Sequence, residues 1–318
     1  MSAIAPIRIT GTWMDFQHQN SHDGLYWNDQ TRAFVCDQWK QHVCDIHDVG
    51  MDTIVLMSSA LDDKAFYPSQ FLGEHWDLVC DDPIQAVLDA AGDNGQKVFV
   101  SAGFYGHQTE ETSSAPDYLD WHKRLTEELW SRYSKHASFY GWYIPNEAEI
   151  EGHFSDGYMD FTPKFTAHLR QLAPDRKILI APYGTNKVAE TDRFVEQIQT
   201  LGVDYIAYQD EVGVRKTQVD QLDEIYARLK RLHDRAGMPL WADVEIFEFE
   251  STVYKSALLP AALERIQRQL SIISPYVEKL LCYQFHGLMN PPDSPAFCGH
   301  EDTEKLWRDY TGWQKLSA

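Results

Sequence analysis

The chain has 318 residues, of which 43% are hydrophobic and 13% aromatic, enough to build one large domain around a sizeable core. Its formal net charge is −20, from 28 basic against 48 acidic side chains. Nucleic acids and anionic membrane surfaces attract basic patches, so both are excluded as partners.

The cysteines are Cys36, Cys44, Cys80, Cys282 and Cys298, with no CxxC pair among them. An odd number at wide spacing argues against a disulfide framework and against a zinc knuckle, so reduced, buried thiols in a cytoplasmic protein are expected. The opening "MSAIAPIRIT" lacks a basic segment followed by a long apolar one, so no signal peptide is expected. No apolar run approaches the length needed to cross a bilayer.

Along the chain, short apolar runs alternate with longer amphipathic stretches. The runs are 7–13, 53–58, 97–103, 139–144, 177–182, 205–208, 240–246 and 280–285, rich in Val, Ile, Tyr and Phe as buried strands are. Between them the apolar spacing is helical. "TRAFVCDQWKQHVCDIHDVG" stops at Gly50, and "DDPIQAVLDAAGDNG" places Pro83 in a first turn behind an acidic cap. Further helices are expected in "DYLDWHKRLTEELWSRYSKH", "GYMDFTPKFTAHLRQLA", "ETDRFVEQIQTLG", "VDQLDEIYARLKRLHDRAG" and "LLPAALERIQRQLSIIS", with a last one from Glu301 to Trp313. Eight such alternations over this length predict an α/β fold, a (β/α)8 TIM barrel forming one domain over residues 1–318. An open doubly wound sheet is disfavoured, because "ITGTWMD" after the first run is no glycine-rich phosphate loop.

Barrels of this kind carry their chemistry at the C-terminal strand ends. The ends here offer Trp13, Asp15 and His18; Ser58 and Ser59; Tyr105 and His107; Asn146 and Glu147; Tyr183 and Asn186; Tyr208, Gln209 and Asp210; Asp243 and Glu245; and Gln284, His286 and Asn290. Carboxylates and amides pair with hydroxyls, and rings stack on the apolar faces of sugars. The mixture therefore suits a neutral carbohydrate.

Side chains alternate along a strand. Trp241, Asp243 and Glu245 share one side of the seventh run, and the aliphatic set Ala242, Val244 and Ile246 takes the other. Glu245 is thus expected in the barrel mouth, and Glu147 shares a side with Tyr143 and Pro145. Two carboxyls about 5–5.5 Å apart serve a retaining glycosidase, one as proton donor and one as nucleophile. Glu149 and Glu151 read as solvated loop acids, and Glu248 and Glu250 lie beyond the strand's expected end. Asp243, one layer below Glu245, must pair with a cation or join the site. The histidines read as structural, and Trp13, Tyr26 and Trp27 as a sugar platform or as rings covering the barrel.

An Asn-Glu pair closing the fourth strand, with a Glu closing the seventh, resembles clan A of the glycoside hydrolases. That resemblance implies Glu147 as general acid/base, Glu245 as nucleophile and Asn146 as a substrate contact. It also implies Tyr208 as a partner of the nucleophile. Trp13, Asp15, Tyr105, Tyr183, Gln209, Asp210, Gln284 and His286 complete the expected binding set, and hydrolysis needs neither metal nor organic cofactor. The sequence departs from the clan in two places. "YQFHGLMNPP" has no Trp closing the eighth strand, and "LMSSALDD" has no Arg after the second. Two further readings of the same strand ends are a divalent-metal sugar isomerase using Asp210, Asp243, Glu245 and His286, and a barrel that only binds glycans.

Overall fold

A computed structural model of the chain describes residues 8–104 and 117–316. The strands come in the order β1 (Gly11–Met14), β2 (Thr53–Leu56), a short hairpin of β3 (Ala60–Leu61) and β4 (Lys64–Ala65), β5 (Lys97–Ser101) and β6 (Phe139–Ile144). There follow β7 (Lys177–Ile180), β8 (Tyr205–Gln209), β9 (Leu240–Glu245), a second hairpin of β10 (Phe247–Phe249) and β11 (Leu258–Pro260), and β12 (Lys279–Tyr283). Leaving the hairpins aside, eight strands close into a barrel in chain order, β12 pairing back onto β1. Every pairing in it is parallel. Each coincides with one of the expected runs, so the (β/α)8 architecture is as expected.

Rings fill the barrel. Trp241 stacks on Tyr205 at 4.0 Å between centroids and meets Phe99 edge-on at 6.3 Å. Nearer the mouth, Trp13 and Tyr143 meet edge to face at 5.9 Å. Gly141 makes room for this packing. A Cβ there would lie 2.3 Å from the Lys177 carbonyl and 2.9 Å from the Phe99 ring.

The surrounding helices are α1 (Asn28–Arg32), α2 (Cys36–Asp48), α3 (Pro83–Asn94), α4 (Tyr118–Tyr133), α5 (Asp156–Leu172), α6 (Asp192–Thr200), α7 (Leu222–Ala236), α8 (Leu263–Ile273) and α9 (Asp302–Leu316). Asp82, Ser155 and Thr191 cap their helices by accepting from the backbone N–H three residues on. Two expected helices are corrected. The stretch from Thr31 to Gly50 breaks between α1 and α2, because the Gln38 side chain takes the Val35 N–H at 3.0 Å and starts a new helix there. In "LLPAALERIQRQLSIIS" the first residues pair with Phe247–Phe249 as a hairpin, burying Phe249 and Leu258, and only Leu263–Ile273 is helical.

The cysteines also differ from expectation. Cys36, at the start of α2, is bonded to Cys80, whose Cα lies 4.9 Å away. Wide spacing in sequence concealed a pair that the fold brings together. Cys44, Cys282 and Cys298 remain free. Among the described residues, no helix is long and apolar enough to cross a membrane.

A crosslink over 44 residues restricts the unfolded chain. Replacing Cys36 and Cys80 together by Ser should cost about 2–4 kcal/mol, read as a lower urea midpoint, with a steeper slope because the released unfolded chain exposes more surface. Thiol titration of the unreduced, denatured protein should find three free cysteines rather than five.

Candidate active site

Glu147 follows Pro145 and Asn146 at the C-terminal end of β6, where the chain leaves the barrel. Its carboxyl is pushed up to about 7 by burial, while the Gln209 side chain and the nearby Lys216 ammonium pull it back. Lys216 also sits 4.1 Å above the Tyr183 ring, on the neighbouring strand end. The Glu147 charge reaches Tyr143 below it and Tyr183, Tyr254 and Tyr283 around it. Asn146 donates to the Tyr118 hydroxyl at 3.3 Å. Glu149 and Glu151 pair with Lys187 on the outside, as loop acids should.

Across the mouth, β9 contributes two buried acids, each 2% exposed. Asp243 has no hydrogen-bond partner on Oδ1. Burial, and then the charges of Glu245, Asp210 and Glu147, hold its carboxyl well above the usual range. Glu245 is raised by burial and by Asp210, while the Val214 N–H and the Arg265 guanidinium favour its ionised form. That N–H reaches Glu245 Oε2 at 2.9 Å because residue 213 is glycine. A Cβ there would lie 2.7 Å from the Phe247 carbonyl and 3.0 Å from Oε2. Arg265, from α8, donates to the Glu245 and Phe247 carbonyls at 2.9 and 2.6 Å. A cation therefore does support this strand end, from a helix and not from β2.

The opposite wall carries Asp15, raised to about 7 by burial, with Gln284 Nε2 at 3.4 Å from its Oδ2. Gln284 is fully buried and its Oε1 has no partner. A small cleft opens here between Asp15, His18, Ser58, Phe104 and Tyr283. The Tyr283 phenol feels Asp15, Glu147 and Asp243 together, so the cleft and the acids belong to one mouth.

Several expected contacts lie elsewhere. Tyr208 faces outward from β8: its hydroxyl meets His233 of α7 at 3.1 Å, and Tyr226 donates to its carbonyl. It is a strut between barrel and helix, not a partner of Glu245, because the side chains of β8 alternate and Gln209 takes the inner face. Asp210 spends both oxygens on structure. Oδ1 accepts from the N–H groups of Val212 and Glu245 at 3.1 and 3.2 Å, and Oδ2 accepts from Gln269 at 2.6 Å. His286 is fully buried behind Asp15, against His42 and Trp39. It is thus parted from Asp210, Asp243 and Glu245, and the isomerase ligand set is not assembled. Trp13 is a buried wall rather than an open platform. Tyr105 and His107 lie outside the described residues.

Residues the strand-end reading missed are Lys216, Arg265, Tyr254 and Tyr283. Tyr283 was within reach, since it shares its side of β12 with Leu281. Lys216, Arg265 and Tyr254 arrive from a loop, a helix and a hairpin tip, where strand parity says nothing.

The family model described as a domain of unknown function, DUF4434, matches residues 9–297. The chain belongs to the DUF4434 family. No curated protein matches it. Among solved structures, this DUF4434 chain is similar to a candidate α-L-fucosidase from Bacteroides thetaiotaomicron, at 21% identity and TM-score 0.79, covering 98% of this chain and 94% of that one. It is also similar to an endo-β-1,4-mannanase from Thermotoga petrophila, at 10% identity and TM-score 0.64, covering 98% and 77%. A third is a GH2 β-galacturonidase from Eisenbergiella tayi, at 13% identity and TM-score 0.58, covering 96% of this chain and 51% of that one. At these identities the likeness is one of fold: the barrel that clan A glycoside hydrolases use.

A carboxyl raised on folding binds its proton more tightly in the native state. Glu147 therefore contributes stability that is present at low pH and lost as pH rises toward and through about 7. Glu147→Gln removes that loss. Its melting temperature should exceed that of the parent protein at pH 8, and the difference should shrink at pH 5. A constant difference across this range would refute the assigned environment.

Proposed function

We propose that this barrel is a retaining O-glycoside hydrolase acting on a small glycoside or oligosaccharide. The observation that carries the reading is the set of acids in the mouth. Glu147 keeps its proton to about pH 7, Asp243 on β9, three strands away, lies within its electrostatic reach, and Glu245 is buried two residues further along the same strand. Glycosidases need a proton donor and a second carboxyl that can ionise, and Glu147 fits the donor's part.

In the first step Glu147 gives its proton to the departing glycosidic oxygen. The C–O bond breaks, and a Glu245 carboxylate oxygen bonds to the anomeric carbon. In the second step ionised Glu147 takes a proton from water, whose oxygen displaces Glu245 and releases the sugar. Glu245 must be ionised to attack, and the Val214 N–H and Arg265 are the groups that favour that form. Asp243 holds its proton beside it and presents Oδ1 to the substrate. Asn146, Tyr183, Gln209, Asp15 and Gln284 are the remaining hydroxyl contacts. The disulfide is at home in an oxidising compartment, which supports action outside the reducing cytoplasm.

The test is a panel of aryl glycosides, α-L-fucosides first given the name of the similar structure, with product stereochemistry read by NMR. Retention is expected. Glu245→Gln should remove turnover, and Glu147→Gln should lower it by about 10²–10⁴-fold, least for the most acidic leaving groups. Activity should fall as pH rises through about 7, where Glu147 loses its proton. Inversion, or full turnover in Glu245→Gln, would overturn the mechanism. Glycan affinity without turnover on any substrate would leave a binding barrel instead.

A further inference from the structure

Behind the mouth, three ligand-type side chains converge in a fully buried place that the hydrolytic reading leaves unused. They are His42 on α2, His286 just after β12, and Cys298 ahead of α9, each with no exposed surface. Their ligand atoms all lie within 4.8 Å of one another. His286 Nδ1 is 3.2 Å from His42 Nε2 and 3.9 Å from Cys298 Sγ.

These separations match the edges of a small tetrahedron. Zinc bonds of about 2.0–2.1 Å to nitrogen and about 2.3 Å to sulfur put two nitrogens about 3.3 Å apart, and nitrogen and sulfur about 3.6 Å apart. The outward-facing groups are those that metal ligands need. His286 Nε2 lies 3.3 Å from Asp15 Oδ1, close enough for that carboxyl to take up a ring proton there, and neither atom has another hydrogen-bond partner. The His42 ring also faces the Ala296 carbonyl; burial pushes the Cys298 thiol up, and the Gly287 N–H directed at its sulfur works the other way. His286 Nδ1 and His42 Nε2 meet at 3.2 Å, a distance that one shared ring proton satisfies and that a cation between two lone pairs, with each ring proton on its outer nitrogen, satisfies equally. Two imidazoles and a thiolate are soft enough to choose zinc over magnesium or calcium. The Asn290 amide oxygen, 4.0 Å from the sulfur, or a water molecule is available for the fourth corner.

We propose that His42, His286 and Cys298 hold a structural zinc ion, with Asp15 orienting His286 from behind. Binding displaces the Cys298 thiol proton and leaves both imidazoles neutral. The ion then ties α2, the exit of β12 and the chain before α9 together, and fixes the Asp15 carboxylate at the wall of the cleft.

The experiment uses the full chain, incubated with zinc sulfate, desalted and analysed for metal. One zinc per chain is expected, and Cys298→Ser and His42→Gln should lose it. Asp15→Asn should keep the ligands but weaken zinc about 10–100-fold in competition with a chromogenic chelator. Protein stripped by chelation and refilled with Co²⁺ should show intense tetrahedral visible bands and a thiolate charge-transfer band. Cys298→Ser should lose the latter. Should a variant fail to fold, the Co²⁺ spectrum of the unaltered chain decides alone. Absence of the thiolate band there, or zinc content unchanged in correctly folded Cys298→Ser, overturns the proposal.

Discussion

The mouth of this barrel is organised by one electrostatic constraint: carboxyl groups taken out of water must be protonated, hydrogen-bonded or paired. Asp15, Glu147, Asp210, Asp243 and Glu245 all stand at strand ends, and burial raises every one of them. They cannot all be ionised together. What distinguishes them is the partner that each is given.

Asp210 receives two backbone N–H groups and an amide, the most complete set, and is held only to about 6. It spends its charge on fixing the loop that closes over Glu245. Asp243 receives nothing on Oδ1 and carries the like charges of three neighbours, which with its burial hold its carboxyl well above the usual range. Glu245 is also raised well above its usual range, by burial and by Asp210, against which it has an N–H on one oxygen and a guanidinium nearby. Glu147 stands apart from the β9 group, with an amide and a lysine that leave it poised near neutrality. Graded environments of this kind allow chemically similar groups to take different roles in one site. Side-chain packing does the grading. Gly213 lets a loop reach Glu245, and Gly141 lets β6 and β7 close beside Tyr143.

The strands were legible because buried parallel strands leave a near-continuous apolar run, and all eight coincide with one. Parity along β9 correctly separated Asp243 and Glu245 from the aliphatic face. The same rule applied to β8 turns Tyr208 outward, toward His233, whereas the clan resemblance implied a partner of Glu245. Other misreadings came from contacts remote in sequence. Cys36 and Cys80 are brought together by the packing of α2, and their spacing held no sign of it. Arg265 supports β9 from the helix that follows, where a basic residue reads as ordinary surface. His286 was placed at a strand end correctly, but the turn after β12 carries it behind Asp15.

That turn lies at the seam of the barrel, where the first strand meets the last. The seam has only two register pairs, Gly11 with Leu281 and Thr12 with Cys282, fewer than most other joints of the sheet. It also closes the longest loop in the chain, so its contacts offset the largest closure entropy. Side chains make up what the ladder lacks. Thr12 donates across the seam to the Cys282 carbonyl and accepts from the Phe285 N–H at 2.7 Å. Asp15 reaches Gln284 and His286, and His286 reaches His42. The wall of the cleft and the closure of the barrel are therefore built from the same residues. Asp15 is buried and raised because it stands in that seam, which fixes the position of its carboxyl at the wall of the cleft.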